Sequence, residues 1–132
     1  MGTPILVVED DPDIRSTLKM VLTDEGYEIK EARNGQEALQ VLRASQKAHV
    51  VLLDYLLPIM DGIEVLRQVE KDAHLKKHAY LCITARTRFP DAEAEQLFAA
   101  LDVPILFKPF ELEELLKAVA DAAKRLPPED HP

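Results

Sequence analysis

A chain of 132 residues with 47% hydrophobic content is long enough to build one folded domain around a real core, and a second folded unit is not expected. Its 24 acidic against 16 basic residues, a formal charge of -8, argue against the concentrated basic surface that grips nucleic acid, so no direct nucleic-acid partner is expected. The apolar stretches fall far short of the about 20 residues of a membrane span, and the N-terminus lacks the basic and apolar regions of a signal peptide; a soluble, cytoplasmic protein is the expectation.

The first element, Ile5-Leu6-Val7-Val8, is short, β-rich and apolar without alternation, the pattern of a strand covered on both faces. Glu9-Asp10-Asp11 follows. Asp11 suits a helix N-cap and Pro12 the first helical position, and Ile14, Leu18, Val21 and Leu22 then recur at helical spacing until Gly26 ends the helix. Tyr27 to Ala32 mixes polar and apolar residues and reads as an edge strand. After the Asn34-Gly35 turn, Ala38, Leu39 and Leu42 mark a second helix. Val50-Val51-Leu52-Leu53 is a second interior strand, ending at Asp54.

Asp61-Gly62 carries turn chemistry, and Val65, Leu66 and Val69 mark a third helix. Leu81-Cys82-Ile83 is the third interior strand and ends at Thr84. Cys82, the single cysteine, cannot form an internal disulfide and reads as a small buried hydrophobe. Ala94, Leu97, Phe98 and Leu101 give a short fourth helix. Val103 to Phe107 contains Pro104, which a central strand tolerates badly, so it is the other edge. Leu112, Leu115, Leu116, Val119, Ala123 and Leu126 form a fifth helix, with Glu111, Glu113 and Glu114 favouring its first turn through the helix dipole. Residues 1–126 are read as the domain. Residues 127–132, Pro-rich and acidic, read as a tail or the start of a linker.

The expected architecture is therefore α/β: (βα)5, a doubly wound parallel five-stranded sheet in the flavodoxin-like order 2-1-3-4-5, with right-handed crossovers. In such a sheet ligands bind outside the carboxyl ends of the strands. Asp10 beside Glu9, Asp54, Thr84 and Lys108 each stand at such an end, so they are expected to converge. Three carboxylates there repel one another unless cations offset them, and Lys108 leaves the set two charges short of neutral, the charge of Mg²⁺. Magnesium prefers hard oxygens and keeps several waters, so Asp10 and Asp54 are the expected ligands, with Glu9 acting through water. A carboxylate is also a nucleophile toward phosphorus, and metal, lysine and hydroxyl can stabilise the charge that develops.

These residues resemble the receiver domain of two-component response regulators, over nearly the whole chain from Ile5 to about Leu126. Ile5 to Asp11 looks like that family's first strand and acidic pair, Leu53 to Gly62 its phosphoacceptor loop, and Ile83-Thr84-Ala85 and Lys108-Pro109-Phe110 its Thr-Ala and Lys-Pro-Phe segments. The resemblance implies a phosphorelay switch rather than an enzyme acting on other substrates, catalysing only its own phosphorylation and dephosphorylation. Asp54 would accept a phosphoryl group from a phosphohistidine on a sensor histidine kinase or a histidine phosphotransfer protein. Asp10, Asp54 and the backbone carbonyl of Leu56 would hold Mg²⁺, and Lys108 would contact the phosphoryl oxygens. Thr84 would hydrogen-bond the modified site, and Ala85 would leave room for the donor. Lys108-Pro109 is expected to be a cis peptide bond. The face made by the fourth helix, fifth strand and fifth helix would meet an output partner, with the chain a monomer or weak dimer, either stand-alone or cut from a larger regulator or hybrid kinase.

One position departs from the family. Three residues before Lys108, where a tyrosine or phenylalanine commonly moves with the threonine, this chain has Ile105, so a subtler or different output movement is expected. Leu56 and Arg86, each two residues beyond a site residue, are expected to tune attack of water on the acyl phosphate.

Other functions fit less well. A nucleotide or flavin domain would need a glycine-rich first turn where this chain has Glu9-Asp10-Asp11-Pro12. A small-substrate aspartyl phosphatase would need a second carboxylate just after the nucleophile, where Tyr55-Leu56-Leu57-Pro58 is apolar. The remaining alternative is a degenerate receiver that binds partners without phosphorylation. His49, His74, His78 and His131 lack the spacing of a zinc site and read as surface or strand-end residues.

Overall fold

The computed structural model describes residues 2–85 and 92–128. Within them the chain runs β1 (Pro4–Val8), α1 (Pro12–Asp24), β2 (Glu28–Ala32), α2 (Gly35–Ala44), β3 (Val50–Asp54), α3 (Gly62–Glu70), α4 (Ala73–Lys76), β4 (Ala79–Ala85), α5 (Ala92–Leu101), β5 (Ile105–Lys108) and α6 (Leu112–Lys124). The strands form one parallel sheet in the order β2-β1-β3-β4-β5, so the two polar or proline-bearing strands lie at the edges as expected. The expected fourth and fifth helices are α5 and α6. Between the third and fourth strands lies an additional one-turn helix, α4, capped by Asp72, whose carboxylate accepts from the His74 N–H. β5 begins at Ile105 rather than Val103, although the Pro104 carbonyl still accepts from the Cys82 N–H at 3.0 Å.

The sheet is covered on both sides because its interior strands carry no polar face. Leu6, Val8, Val51, Leu53, Tyr80 and Cys82 pack beneath α2, α3, α4 and α5. Their neighbours along the strands, Ile5, Val7, Val50, Leu52, Leu81 and Ile83, point the other way and pack beneath α1 and α6. That division follows from the two-residue period of a strand. Helix starts follow their caps: Asp11 accepts from the Asp13 and Ile14 N–H groups, Asn34 from Glu37 and Asp61 from Glu64. Ile14, read as part of the apolar face of the first helix, is instead exposed near the start of α1.

Gly35 is where the turn after β2 meets the loop between β3 and α3. Its N–H donates to the Met60 carbonyl at 3.0 Å, and a Cβ there would stand 2.4 Å from that same oxygen. Because the obstacle is backbone, Gly35→Ala should destabilise the fold by about 2–3 kcal/mol, read as a drop in the denaturant midpoint at unchanged slope.

His49 and His78 stand just before β3 and β4, at the amino ends of the strands, so of the two readings they are strand-end residues, and both are buried. His78 Nδ1 accepts from the His49 N–H at 2.9 Å, which ties the two strands together and fixes His78 as the Nε2-protonated tautomer. Burial, then the neighbouring His49 and Lys77, push His78 down to about 4, and burial also lowers His49. A folded pKa below the unfolded value of 6.5 means that the unfolded chain takes up the proton first. For His78, stability is thus lost as pH falls from about 6.5 toward 4, at up to about 1.4 kcal/mol per pH unit. Asn at position 78 can offer an oxygen where Nδ1 stands, so His78→Asn should lose less stability over that window when both proteins are unfolded in urea.

Candidate functional site

The strand register brings the expected residues together. Val8 lies beside Leu53, Asp54 beside Ile83, and Ala85 beside Lys108, so the residues that end β1, β3, β4 and β5 open onto one crevice. Asp54 is buried at its floor. One carboxylate oxygen, Oδ1, accepts from the Leu56 N–H at 3.1 Å; the other, Oδ2, accepts from Lys108 Nζ at 3.2 Å. The same ammonium is 3.6 Å from Glu9 Oε1. Glu9 is buried and Asp10 exposed. Glu9 Oε2 accepts from the Asp11 N–H at 3.2 Å.

Oxygen atoms of Glu9, Asp10 and Asp54 all lie within 4.8 Å of one another, the one such acidic, histidine or cysteine cluster among the described residues. The charges are unevenly satisfied. Burial first, then Asp54, push Glu9 up to about 7, so this carboxyl holds its proton far longer than an ordinary glutamate. Burial works against the charge of Lys108, but Asp54 and Glu9 together outweigh it and raise its pKa above the usual lysine value. A crevice with three hard-oxygen donors and one cation still carries excess negative charge, and a divalent ion is the group that fits it. The donor set lacks sulfur and imidazole, which favours magnesium over zinc or copper.

Thr84 is buried at the end of β4 and its hydroxyl donates to the Ala85 carbonyl at 3.4 Å. Ile105, opposite Cys82 on β5, is half-buried and packs into the cluster beneath α5 that also holds Phe98. Cys82, 1% exposed, is pushed up to about 12 by burial and then by Asp54, which leaves an inert thiol. The Lys108–Pro109 peptide bond is cis. Arg86 lies outside the described residues. Between Asp54 and α3 the chain turns tightly: Ile59 has φ +68, and the Met60 N–H donates to the Pro58 carbonyl at 2.6 Å. A β-branched residue in that conformation is strained, by about 1–3 kcal/mol, on the loop that follows the buried aspartate.

Sequence reasoning passed over Arg15. Its Nη1 donates to the Glu9 carbonyl at 2.8 Å and its Nε pairs with Glu31 Oε1 at 3.3 Å. The available signal was an acidic residue at the end of a polar edge strand facing the first helix, but a main-chain partner leaves no mark in a sequence.

The family model for the response regulator receiver domain matches residues 5–120. The chain belongs to this family. The response regulators MprA of Mycolicibacterium vanbaalenii and of Mycobacterium tuberculosis strain H37Rv are both 38% identical to this receiver domain over 98% of its length. The chain spans 54% of each of these relatives. Among solved structures, a CheY-like receiver domain protein from Methanospirillum hungatei superimposes with a TM-score of 0.80 at 28% identity, covering 92% of this chain and 94% of that one. The Thermotoga maritima response regulator TrrA, solved in complex with Mg²⁺ and BeF, gives a TM-score of 0.75 at 32% identity, covering 91% of this chain and 98% of its own. The fold expected from the strand pattern is that of these proteins. The receiver domain of a two-component system is consistent with a phosphorylation-activated switch. No helix among the described residues is long and apolar enough to cross a membrane.

Proposed function

We propose that this receiver domain is a phosphorelay switch that takes a phosphoryl group from a phosphohistidine onto Asp54. The observation that carries the reading is the setting of Asp54: a buried carboxylate with one oxygen on the Leu56 N–H and the other on Lys108, beside two further carboxylates. In the transfer an Asp54 oxygen forms a bond to phosphorus while the bond from phosphorus to the donor imidazole nitrogen breaks. The nitrogen keeps the electron pair, and because the other ring nitrogen of the donor carries a proton, the donor leaves as a neutral histidine. Lys108 exchanges its Asp54 partner for a phosphoryl oxygen. Asp10 and Asp54, the Leu56 carbonyl, and Glu9 through water would hold Mg²⁺, whose charge offsets the carboxylates and the phosphoryl oxygens. The Thr84 hydroxyl would hydrogen-bond the modified site.

The donor would be a sensor histidine kinase or histidine phosphotransfer protein, and the only reactions catalysed would be phosphorylation and dephosphorylation of the domain itself. The two-state equilibrium shifts because the phosphoryl group interacts better with one state. The face of α5, β5 and α6 carries the change to a partner. Ile105 favours one second reading, a degenerate receiver that binds partners without phosphorylation. Intact mass after incubation with acetyl phosphate, with and without Mg²⁺, separates the two. A single phosphoryl adduct that requires the metal is expected, and folded protein without any adduct would leave the binding module in its place.

A further inference from the structure

Arg15 is the one cation of α1 that reaches the acidic crevice from behind. Its side chain is only 16% exposed, and the guanidinium spans two fixed points, the carbonyl of Glu9 through Nη1 and the carboxylate of Glu31 through Nε. Glu31 belongs to β2, and the Glu9 N–H donates to the Ala32 carbonyl of the same strand at 3.0 Å. Both polar groups of the Glu9 main chain are thus held. The Glu9 carbonyl belongs to the peptide plane that leads into Asp10, so rotation of that plane would swing the Asp10 carboxylate away from Glu9 and Asp54. Asp10 is the exposed member of the cluster and has no buried packing of its own to hold it.

We propose that Arg15 is a positioning residue for divalent-cation binding, acting through the Glu9 carbonyl to hold Asp10 in place. The proposal rests on the metal reading of the crevice. Glu31 has a second function in this arrangement: it offsets the Arg15 charge, so the guanidinium braces the site without competing with an incoming cation. A guanidinium fork suits the task because its nitrogens point along different directions at once, whereas a lysine ammonium offers a point charge that cannot reach both partners in the same geometry.

Charge and position predict opposite results. Removing a cation beside a divalent-ion site should tighten Mg²⁺ binding if only Coulomb attraction matters, whereas loss of the brace should weaken it. Titration calorimetry with MgCl2 on the whole chain reads the difference directly, without a phosphoryl donor. Arg15→Ala is expected to weaken Mg²⁺ by about tenfold. Lys19→Ala removes the same charge from the other partner of Glu31, 3.5 Å away, and should leave Mg²⁺ affinity within about twofold. Arg15→Lys, which keeps charge and stem and is the safer variant for folding, should weaken Mg²⁺ several-fold. Unchanged or tighter binding in either Arg15 variant, or equal weakening in Lys19→Ala, overturns the proposal. Should Arg15→Ala fail to fold, Arg15→Lys decides. A wild-type chain that binds no Mg²⁺ overturns the metal reading itself and this proposal with it.

Discussion

An Asp54→Asn variant incubated with acetyl phosphate and Mg²⁺ should carry no phosphoryl adduct by intact mass, against one per molecule in the wild type. The reason lies in how differently the three carboxylates are placed. Glu9, pushed up to about 7, is largely protonated at mildly acidic pH and is a poor nucleophile there. Asp10 is exposed, away from the Lys108 ammonium that pairs with Asp54 and Glu9. Asp54 and Glu9 are both buried beside Lys108, but Asp54 is the nearer, 3.2 Å against 3.6 Å, and a protonated Glu9 must lose its proton before attack, so an attacking oxygen and a charge-stabilising cation are already side by side at Asp54. Asparagine keeps the shape and one acceptor but has no anionic oxygen to form the acyl phosphate. Two of the causes that raise Glu9 are its hydrogen bond to Asp54 and the Asp54 charge, so the same variant should also lower the Glu9 pKa. A phosphoryl adduct on folded Asp54→Asn would place the acceptor elsewhere.

Much of this was legible because the informative residues are punctuated by strand ends. The runs at Ile5 to Val8, Val50 to Leu53 and Leu81 to Ile83 are apolar at every position, which only a strand covered on both faces requires, and Asp54, Thr84 and Lys108 interrupt or end such runs. Parallel topology then turns separate chain positions into one crevice. What escaped depends on partners that leave no pattern. α4 has a single buried anchor, Leu75, too little for a helical period to show. His49 and His78 lie 29 residues apart, and the bond between them runs from a main-chain N–H to a ring nitrogen, so only the adjacency of β3 and β4 reveals why two histidines are buried. Arg15 holds a carbonyl, which every residue owns. Ile14, by contrast, had the right spacing and still faces outward near the start of α1.

Lys108→Ala should separate labelling from response. Asp54, Asp10 and Glu9 remain, so the variant is expected to take up phosphoryl from acetyl phosphate, more slowly, and to bind Mg²⁺ more tightly because a competing cation 3.2 Å from Asp54 is gone. The response is another matter. Lys108 is the last residue of β5 and lies opposite Ala85 at the end of β4, so its ammonium is the direct link from Asp54, the proposed acceptor, to the strand between α5 and α6. When the Asp54 carboxylate becomes an acyl phosphate, the link must move to a phosphoryl oxygen, and β5 with it. Ile105, three residues earlier on the same strand, packs against the cluster that contains Leu97 and Phe98 of α5, so movement of β5 presses on that helix through an aliphatic contact. Hydrogen exchange with and without beryllofluoride, a phosphoryl mimic, measures this. Wild-type amides in α5 and β5 should change protection by about 5- to 150-fold, the range of a 1–3 kcal/mol coupling, while Lys108→Ala should change by less than about twofold. Wild-type-sized changes in Lys108→Ala would mean that the signal leaves Asp54 by another path, and Tyr55, whose ring meets Phe98 edge-on at 6.5 Å, would be the residue to test next.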